Sequence, residues 1–417
     1  MATLTITDQP DLYTPVYNPM RFVVNSTNYT QTNFKYVADV YVSGVSATYV
    51  FRGTYDPDPN HAYQCAIDIS RILEGYVTSN INDTSGANFT RCSNTYSIEK
   101  GMGSYVSYEV KFGEQYGSTP VTYPNIAVTG LKYAWNASLP YDEFQSFDYT
   151  LYTVGMGSTL LTNQSDTQYW SSRTSNAYLT FINDVSGAAY FAKINLYDTS
   201  GSNIGTWKIT NTYQASSAYT DKMISIDVGL QQIYNSSNIY SQTAVPNILN
   251  VDKYDVTLIN WAGTNTSQTI TYQYRCNIKG QAEVNIAFMN RLGGFDSFNF
   301  FAFRKYSYDV NRTTYQRTLG KISGTTWGYN VTDAGTTVMN TEVTDKYQLH
   351  SDWINDSDAA WLEELVESPE VYAHKSNILY PVIIKTSNYM SKTILQDKLF
   401  NLVLDVEFAN KRWRQRG

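Results

Sequence analysis

The residues able to do chemistry are few and scattered. The three histidines, His61, His350 and His374, lie at no spacing that would bring two of them onto one metal ion, and no HExxH pattern occurs. The three cysteines, Cys65, Cys92 and Cys276, form no CxxC pair. An odd, sparse set of this kind is neither a disulfide framework nor a zinc site, and it reads as buried free thiols in a reducing compartment. Nucleophile elbows, phosphate-binding loops and dinucleotide fingerprints are absent from the sequence. Adjacent carboxylates stand at Asp142–Glu143 and Glu363–Glu364. A glycosidase needs two carboxyl groups at a set separation in space, which adjacency does not supply, so these read as solvated surface groups. No catalytic residue, cofactor or metal ligand is expected, and enzymatic activity is not expected.

Two segments have physical character without suggesting catalysis. In Phe288–Phe301, Gly293-Gly294 permits a tight turn or a close backbone approach. Phe295, Phe298 and Phe300 supply apolar surface around it, which favours a structural corner, or else a partner loop. Asn290, Arg291 and Asp296 are expected to hold that corner by internal hydrogen bonds and an ion pair. At the C-terminus, Lys411, Arg412, Arg414 and Arg416 put four cations close together. So short a basic run reads as an exposed tail, or as partners for acidic groups on a neighbouring subunit, rather than a nucleic-acid site. The net charge of −7 also argues against a specific nucleic-acid binder.

The elements that must position these residues are mostly strands. Only 16% of the residues are charged, and polarity comes instead from Asn, Ser, Thr and 37 Tyr. Tyr and Thr suit a pleated surface, whereas Asn, Ser and Gly suit the turns between strands. Period-two alternation runs through Phe34–Val42, Ala47–Arg52, Tyr105–Phe112, Phe147–Val154, Ala177–Ile182, Ala192–Tyr197, Tyr254–Ile259, Ile270–Arg275 and Leu399–Phe408. A short helix is expected over Ile67–Gly75, capped by Asp68 or Ser70 and ended by Gly75. A longer one is expected near 357–367, with Ser357 as cap, Trp361, Leu362, Leu365 and Val366 on one face, and Pro369 as stop.

These patterns predict a mainly β chain of tandem immunoglobulin-like β-sandwich domains and a C-terminal β-rich domain carrying the short helix. The expected divisions are 1–128, 129–276 and 277–417. The N-terminal residues lack a basic, apolar leader, and no apolar run is long enough to cross a membrane as a helix. Asn-x-Ser/Thr triplets such as those at Asn25, Asn82, Asn136 and Asn311 are what this composition produces by chance. An aromatic fraction of 15% exceeds what cores alone require, so some of Tyr13, Tyr17, Tyr133, Trp135, Tyr141 and Trp170 are expected at interfaces.

The succession Tyr36–Val42, Asp58–Asn60, Ile67–Leu73, Ala137–Tyr141, Met289–Phe298, Ser368-Pro369 and Phe408–Asn410 resembles a group of structural proteins from the neck and tail of crAss-like and related Bacteroides tailed phages. The likeness runs through most of the chain, and Asn290–Phe298 is its most specific part. The resemblance implies a virion protein of ring or tail-hub type, assembled in the host cytoplasm, with no catalytic residues. It also implies a homo-oligomeric ring, six- or twelve-fold, touching other tail, neck or portal proteins. No membrane partner is implied, and packaged DNA would be met only in passing. The alternative is a receptor- or carbohydrate-binding tail fibre or adhesin module, whose aromatics would stack on sugars.

Overall fold

In the computed structural model the described residues are 4–45, 48–78, 98–100, 104–211, 222–236, 238–275, 283–375, 378–386 and 400–413. Cys92, Cys276, Asn82, Arg414 and Arg416 lie outside them.

Alternation builds the first unit. Arg21–Ser26 turns Phe22 and Val24 inward, and Tyr105–Tyr116 turns in Val106, Tyr108, Val110 and Phe112. One sheet orders Leu4–Asp8, Arg21–Ser26 and Cys65–Asp68. The other orders Tyr13–Pro15, Lys132–Trp135, Tyr105–Tyr116, Lys35–Val42 and Phe51–Tyr55. The chain crosses between sheets near its start, and Tyr13–Pro15 then pairs parallel with Lys132–Trp135. Lys132–Trp135 lies beyond the expected division at 128. It follows a turn at Gly130 (φ +75°) and continues the edge begun by Val121–Val128, so it completes this first sheet.

The second unit repeats the plan. Thr167–Trp170 pairs parallel with Asn265–Tyr274, followed in order by Lys253–Ile259, Phe191–Tyr197, Asn203–Thr210 and Ile239–Gln242. Tyr178–Ile182 and Met223–Asp227 form the facing sheet, to which Ile98–Lys100 adds a third strand. Both units therefore have the immunoglobulin-like arrangement, in which an early strand switches sheets to lie parallel to the last. Ile98–Lys100 extends the second unit's sheet from within the first unit's sequence, so the two are stitched by backbone hydrogen bonds as well as side chains.

The third unit is a single long sheet. Its order is Phe295–Phe300, Val284–Met289, Val371–Lys375, Ile378–Ile384, Phe400–Phe408, Thr336–Ile354 and Phe303–Gln316. Helix Asp356–Glu367 buries Trp361, Leu362 and Leu365 against Phe288 and Phe298. Its cap is Asn355, whose side chain accepts the Asp358 N–H at 2.7 Å, and Ser357 sits inside the first turn.

Two other expectations are corrected. Cys65–Asp68 is strand, so the first helix shrinks to Ser70–Leu73 and Gly75 falls in a following 3-10 turn, Glu74–Tyr76. Asp68 Oδ1 draws in the N–H groups of both Ser70 (3.0 Å) and Met20 (3.3 Å), which ends the strand there. The alternating run Phe147–Val154 is not a strand. The Asp148 carboxylate accepts the Thr150 N–H (2.9 Å) and hydroxyl (2.7 Å) and winds Tyr149–Tyr152 into a 3-10 turn.

Phe303–Gln316 and Thr336–Ile354 pair antiparallel as one long hairpin. Phe400–Phe408 and Arg412–Trp413 cover Thr336–Ile354 only from Glu342 onward. The distal part, with the small hairpin of Lys321–Ser323 and Thr326–Gly328 at its tip, is an arm of two strands with exposed side chains on both faces.

Candidate functional site

The turn between Val284–Met289 and Phe295–Phe300 is where the three units meet. Asn290 closes it. Its N–H donates to the Gly294 carbonyl (2.9 Å), its carbonyl accepts from the Gly293 N–H (3.1 Å), and its Oδ1 accepts from the Gly294 N–H (2.9 Å). The remaining groups reach outward. Asn290 Nδ2 donates to the Leu161 carbonyl at 2.8 Å, in the second unit. Trp135 Nε1 donates to the Leu292 carbonyl at 2.9 Å, from the first unit. The Arg291 carbonyl accepts the Ser138 N–H at 2.9 Å. The Arg291 N–H donates to Glu364 Oε2 at 3.1 Å on the helix, and Glu364 Oε1 in turn accepts Asn163 Nδ2 at 2.7 Å.

The paired glycines do both things the sequence allows. Gly293 has φ +80°, and a Cβ on it would stand 2.3 Å from the Asn136 carbonyl oxygen and 2.9 Å from Trp135 Cδ1. A Cβ on Gly294 would stand 2.7 Å from the Leu161 carbonyl oxygen. Around them Tyr13, Trp135, Leu139, Leu161, Ile182, Met223 and Leu292 form one buried cluster drawn from all three units.

Asn290, Arg291, Gly293, Gly294, Phe295 and Asp296 are thus brought together as a corner, but the expected ion pair does not form. Asp296 points into the core beneath the helix, where its Oδ2 accepts Trp361 Nε1 at 2.8 Å. Burial pushes this carboxyl up to about 7, and the neighbouring Glu364 adds to the shift. Arg291 lies on the outer side of the turn and pairs instead with Glu367 Oε2 at 2.9 Å. Arg291→Ala is expected to cost less than about 1 kcal/mol in chemical denaturation, because Glu367 is well exposed and the Arg291 backbone bonds remain.

Further ties fix the second unit to the third. Asp358 Oδ1 accepts the Ser165 hydroxyl (2.7 Å), and Asn285 Nδ2 donates to the Asn176 carbonyl (3.2 Å). Glu283 accepts the N–H groups of Ser171 (2.8 Å) and Ser172 (2.7 Å) and also bonds the Ser175 hydroxyl. Burial pushes Glu283, Asp358 and Glu364 all above the usual carboxylate range. These side chains hold backbone and neighbours in place.

Two clefts open beside the joint. One, of about 790 Å³, lies between Tyr17, Val77 and Asn136–Pro140 on one wall and Met289–Arg291 and Glu367–Glu370 on the other. The second, of about 600 Å³, has Leu139, Phe147, Leu151 and Tyr152 facing the helix at Ala360 and Glu363. Glu143, Asp148, Glu363 and Glu364 line it, so three of the four adjacent carboxylates noted in the sequence share one recess. Glu364 is not a solvated group, however, because both its oxygens are engaged.

The histidines stay apart. His61 pairs with Asp58 (2.6 Å) on the first unit's surface, His350 packs edge-on to Phe303, and His374 is held below its usual range by burial. Among the described residues no group of three or more His, Cys, Asp or Glu is placed to hold a metal ion, and no helix is long and apolar enough to cross a membrane. Cys65 is a buried free thiol.

The basic C-terminal residues are corrected in part. Lys411 pairs with Glu342, and Arg412 with Asp345 (2.5 Å) and the Tyr306 hydroxyl (3.3 Å). Their acidic partners are the chain's own and lie at the base of the arm. The expected interface aromatics divide as well. Tyr13, Trp135 and Trp170 are core, Tyr133 is partly buried, and only Tyr17 and Tyr141 are exposed. Exposed aromatics elsewhere include Tyr240 and Trp261 on the second unit, and the arm adds Tyr315, Trp327 (56% exposed) and Tyr329 (75% exposed). Its signal was a long Thr/Tyr-rich stretch with no apolar face, punctuated by Gly320, Gly324 and Gly328.

No family model matches the chain, and no curated protein matches it. A solved structure named "Biofilm associated protein - BSP domain" aligns at 8% identity over 83% of this chain and 63% of that one, with a TM-score of 0.17. The chain thus spans less than two thirds of that structure, and a likeness this slight carries no weight for function. The molecule is a mainly β chain of two sandwiches and a helix-bearing β unit, joined at Asn290–Asp296.

Proposed function

We propose that this chain is a non-enzymatic structural subunit of a bacteriophage tail or neck, built to join copies of itself in a ring and to meet neighbouring virion proteins. The observation that carries the assembly reading is the arm. A two-stranded ribbon in water is marginal by itself. This one also leaves Ile322, Trp327, Tyr329, Val331, Val338 and Met339 exposed near its end, more apolar surface than a free ribbon has reason to show. The interlocked joint suits the same role, since a subunit of a closed ring must present two different patches at a fixed angle. Assignment to a phage tail draws on the resemblance, whose most specific residues, Asn290–Phe298, form that joint.

Electron microscopy of intact particles tests the reading. The chain is expected in the density at constant copy number in a closed ring, whereas finding it in infected cells but never in particles sinks the idea. Replacing residues 312–341 by a short turn is expected to leave the melting temperature within about 2 °C, because the arm adds no core, yet to abolish incorporation into particles. Exposed Trp327 and Tyr329 also suit the second reading, a glycan-binding fibre or adhesin module. That reading gains if the purified chain remains monomeric and binds glycans measurably.

A further inference from the structure

The arm and the smaller cleft are opposite in character. The arm, residues 312–341, holds Arg312, Arg317 and Lys321 against Asp333. Three cations against one carboxylate make this segment +2, which leaves −9 on the rest of a chain of net charge −7. Arg312, Arg317 and Lys321 are exposed, with no ion pair among the described residues. The cleft sets exposed Glu143 and Asp148 and half-buried Glu363 around an apolar floor that includes exposed Leu151.

Both adjoin the third unit's large sheet. The strand that leaves the joint, Phe295–Phe300, passes through only two residues into Phe303–Gln316, the strand from which the arm projects. A basic, aromatic projection and an acidic, partly apolar recess are the two unlike patches that a head-to-tail contact needs. We propose that the arm tip of one copy seats in this cleft of a second copy, Arg317 and Lys321 meeting Glu143, Asp148 and Glu363 while Trp327 covers Leu151. The occupant deepens the assembly role proposed above and rests on it.

Charge reversal on the full chain tests the contact, with self-association read by light scattering across concentration. The wild type is expected to form oligomers that loosen at about 0.5 M salt. Arg317→Glu with Lys321→Glu should weaken association about tenfold or more, and Glu143→Lys with Glu363→Lys should do the same. Carrying all four substitutions should restore association to within roughly threefold of wild type, a recovery that misfolding cannot produce. The inference is overturned if the reversals leave association unchanged, if the combined variant does not recover, or if the wild-type chain is monomeric throughout. Should any of these occur while particles still contain the chain, the structural role stands and the arm's partner is another virion protein.

Discussion

Gly293→Ala is expected to destabilise the chain by about 3–5 kcal/mol, among the largest effects a single methyl can have. Two costs combine. At φ +80° any residue with a Cβ strains the backbone, by about 1 kcal/mol. The methyl would also sit 2.3 Å from the Asn136 carbonyl oxygen, a backbone atom that cannot rotate away. Either the turn or the segment after Trp135 must move. Moving either one stretches the Trp135 indole bond to the Leu292 carbonyl and opens the buried cluster around Leu161 and Met223. Gly201→Ala separates the two costs, since Gly201 has nearly the same φ, +78°, but nothing near the new methyl. It is expected to cost only about 1 kcal/mol. Urea denaturation of both variants checks this, and equal losses would show that close approach of the units contributes nothing at Gly293.

Why the corner could be read from sequence, and its partners could not, follows from the same residues. Two adjacent glycines amid phenylalanines mark a place where backbone must bend or come close. The groups they approach, Asn136 and Leu161, lie more than a hundred positions away, and nothing local signals them. Sandwich strands such as Tyr105–Tyr116 were legible because one face is buried and the other wet, which writes period two into the chain. Phe147–Val154 shows the same period, yet a single carboxylate at Asp148 supplies a competing bond to the backbone and the strand is lost. Tyr13–Pro15 is too short to show any period, and its parallel pairing depends on a strand far along the chain. The arm left no such mark for the opposite reason. Solvated on both faces, it has no alternation to read, although Tyr315, Trp327 and Tyr329 stand exposed on it. The helix was legible by its apolar face, and its start moved to Asn355 because that side chain reaches the third N–H of the helix.

The buried Asp296 carboxyl makes stability depend on pH in the direction opposite to that of an ion-paired carboxylate. Its folded value is about 7 against an ordinary 3.8, so the native state holds the proton more tightly than the unfolded chain does. The contribution is therefore complete below 3.8 and is lost as pH rises through 7. Each tenfold difference in proton affinity between the folded and unfolded chain is worth about 1.4 kcal/mol, so the full loss by pH 8 is on the order of 4 kcal/mol. Burial pushes Glu364 the same way, and its charge raises Asp296 further, so Glu364 adds to the decline over the range. Asp296→Asn keeps the shape and an oxygen to accept the Trp361 indole N–H, but it has no proton to lose. The variant should match wild type within about 1 kcal/mol at pH 4 and exceed it by about 2 kcal/mol or more at pH 8. Denaturant midpoints followed across that range by Trp fluorescence decide the matter. A variant whose stability declines as steeply as wild type would place the titrating group elsewhere. Because Trp361 also packs against Phe288 and Phe298, charging Asp296 loosens the helix from the sheet at the joint that sets the angle between the units. The joint is thus expected to be tightest in acid.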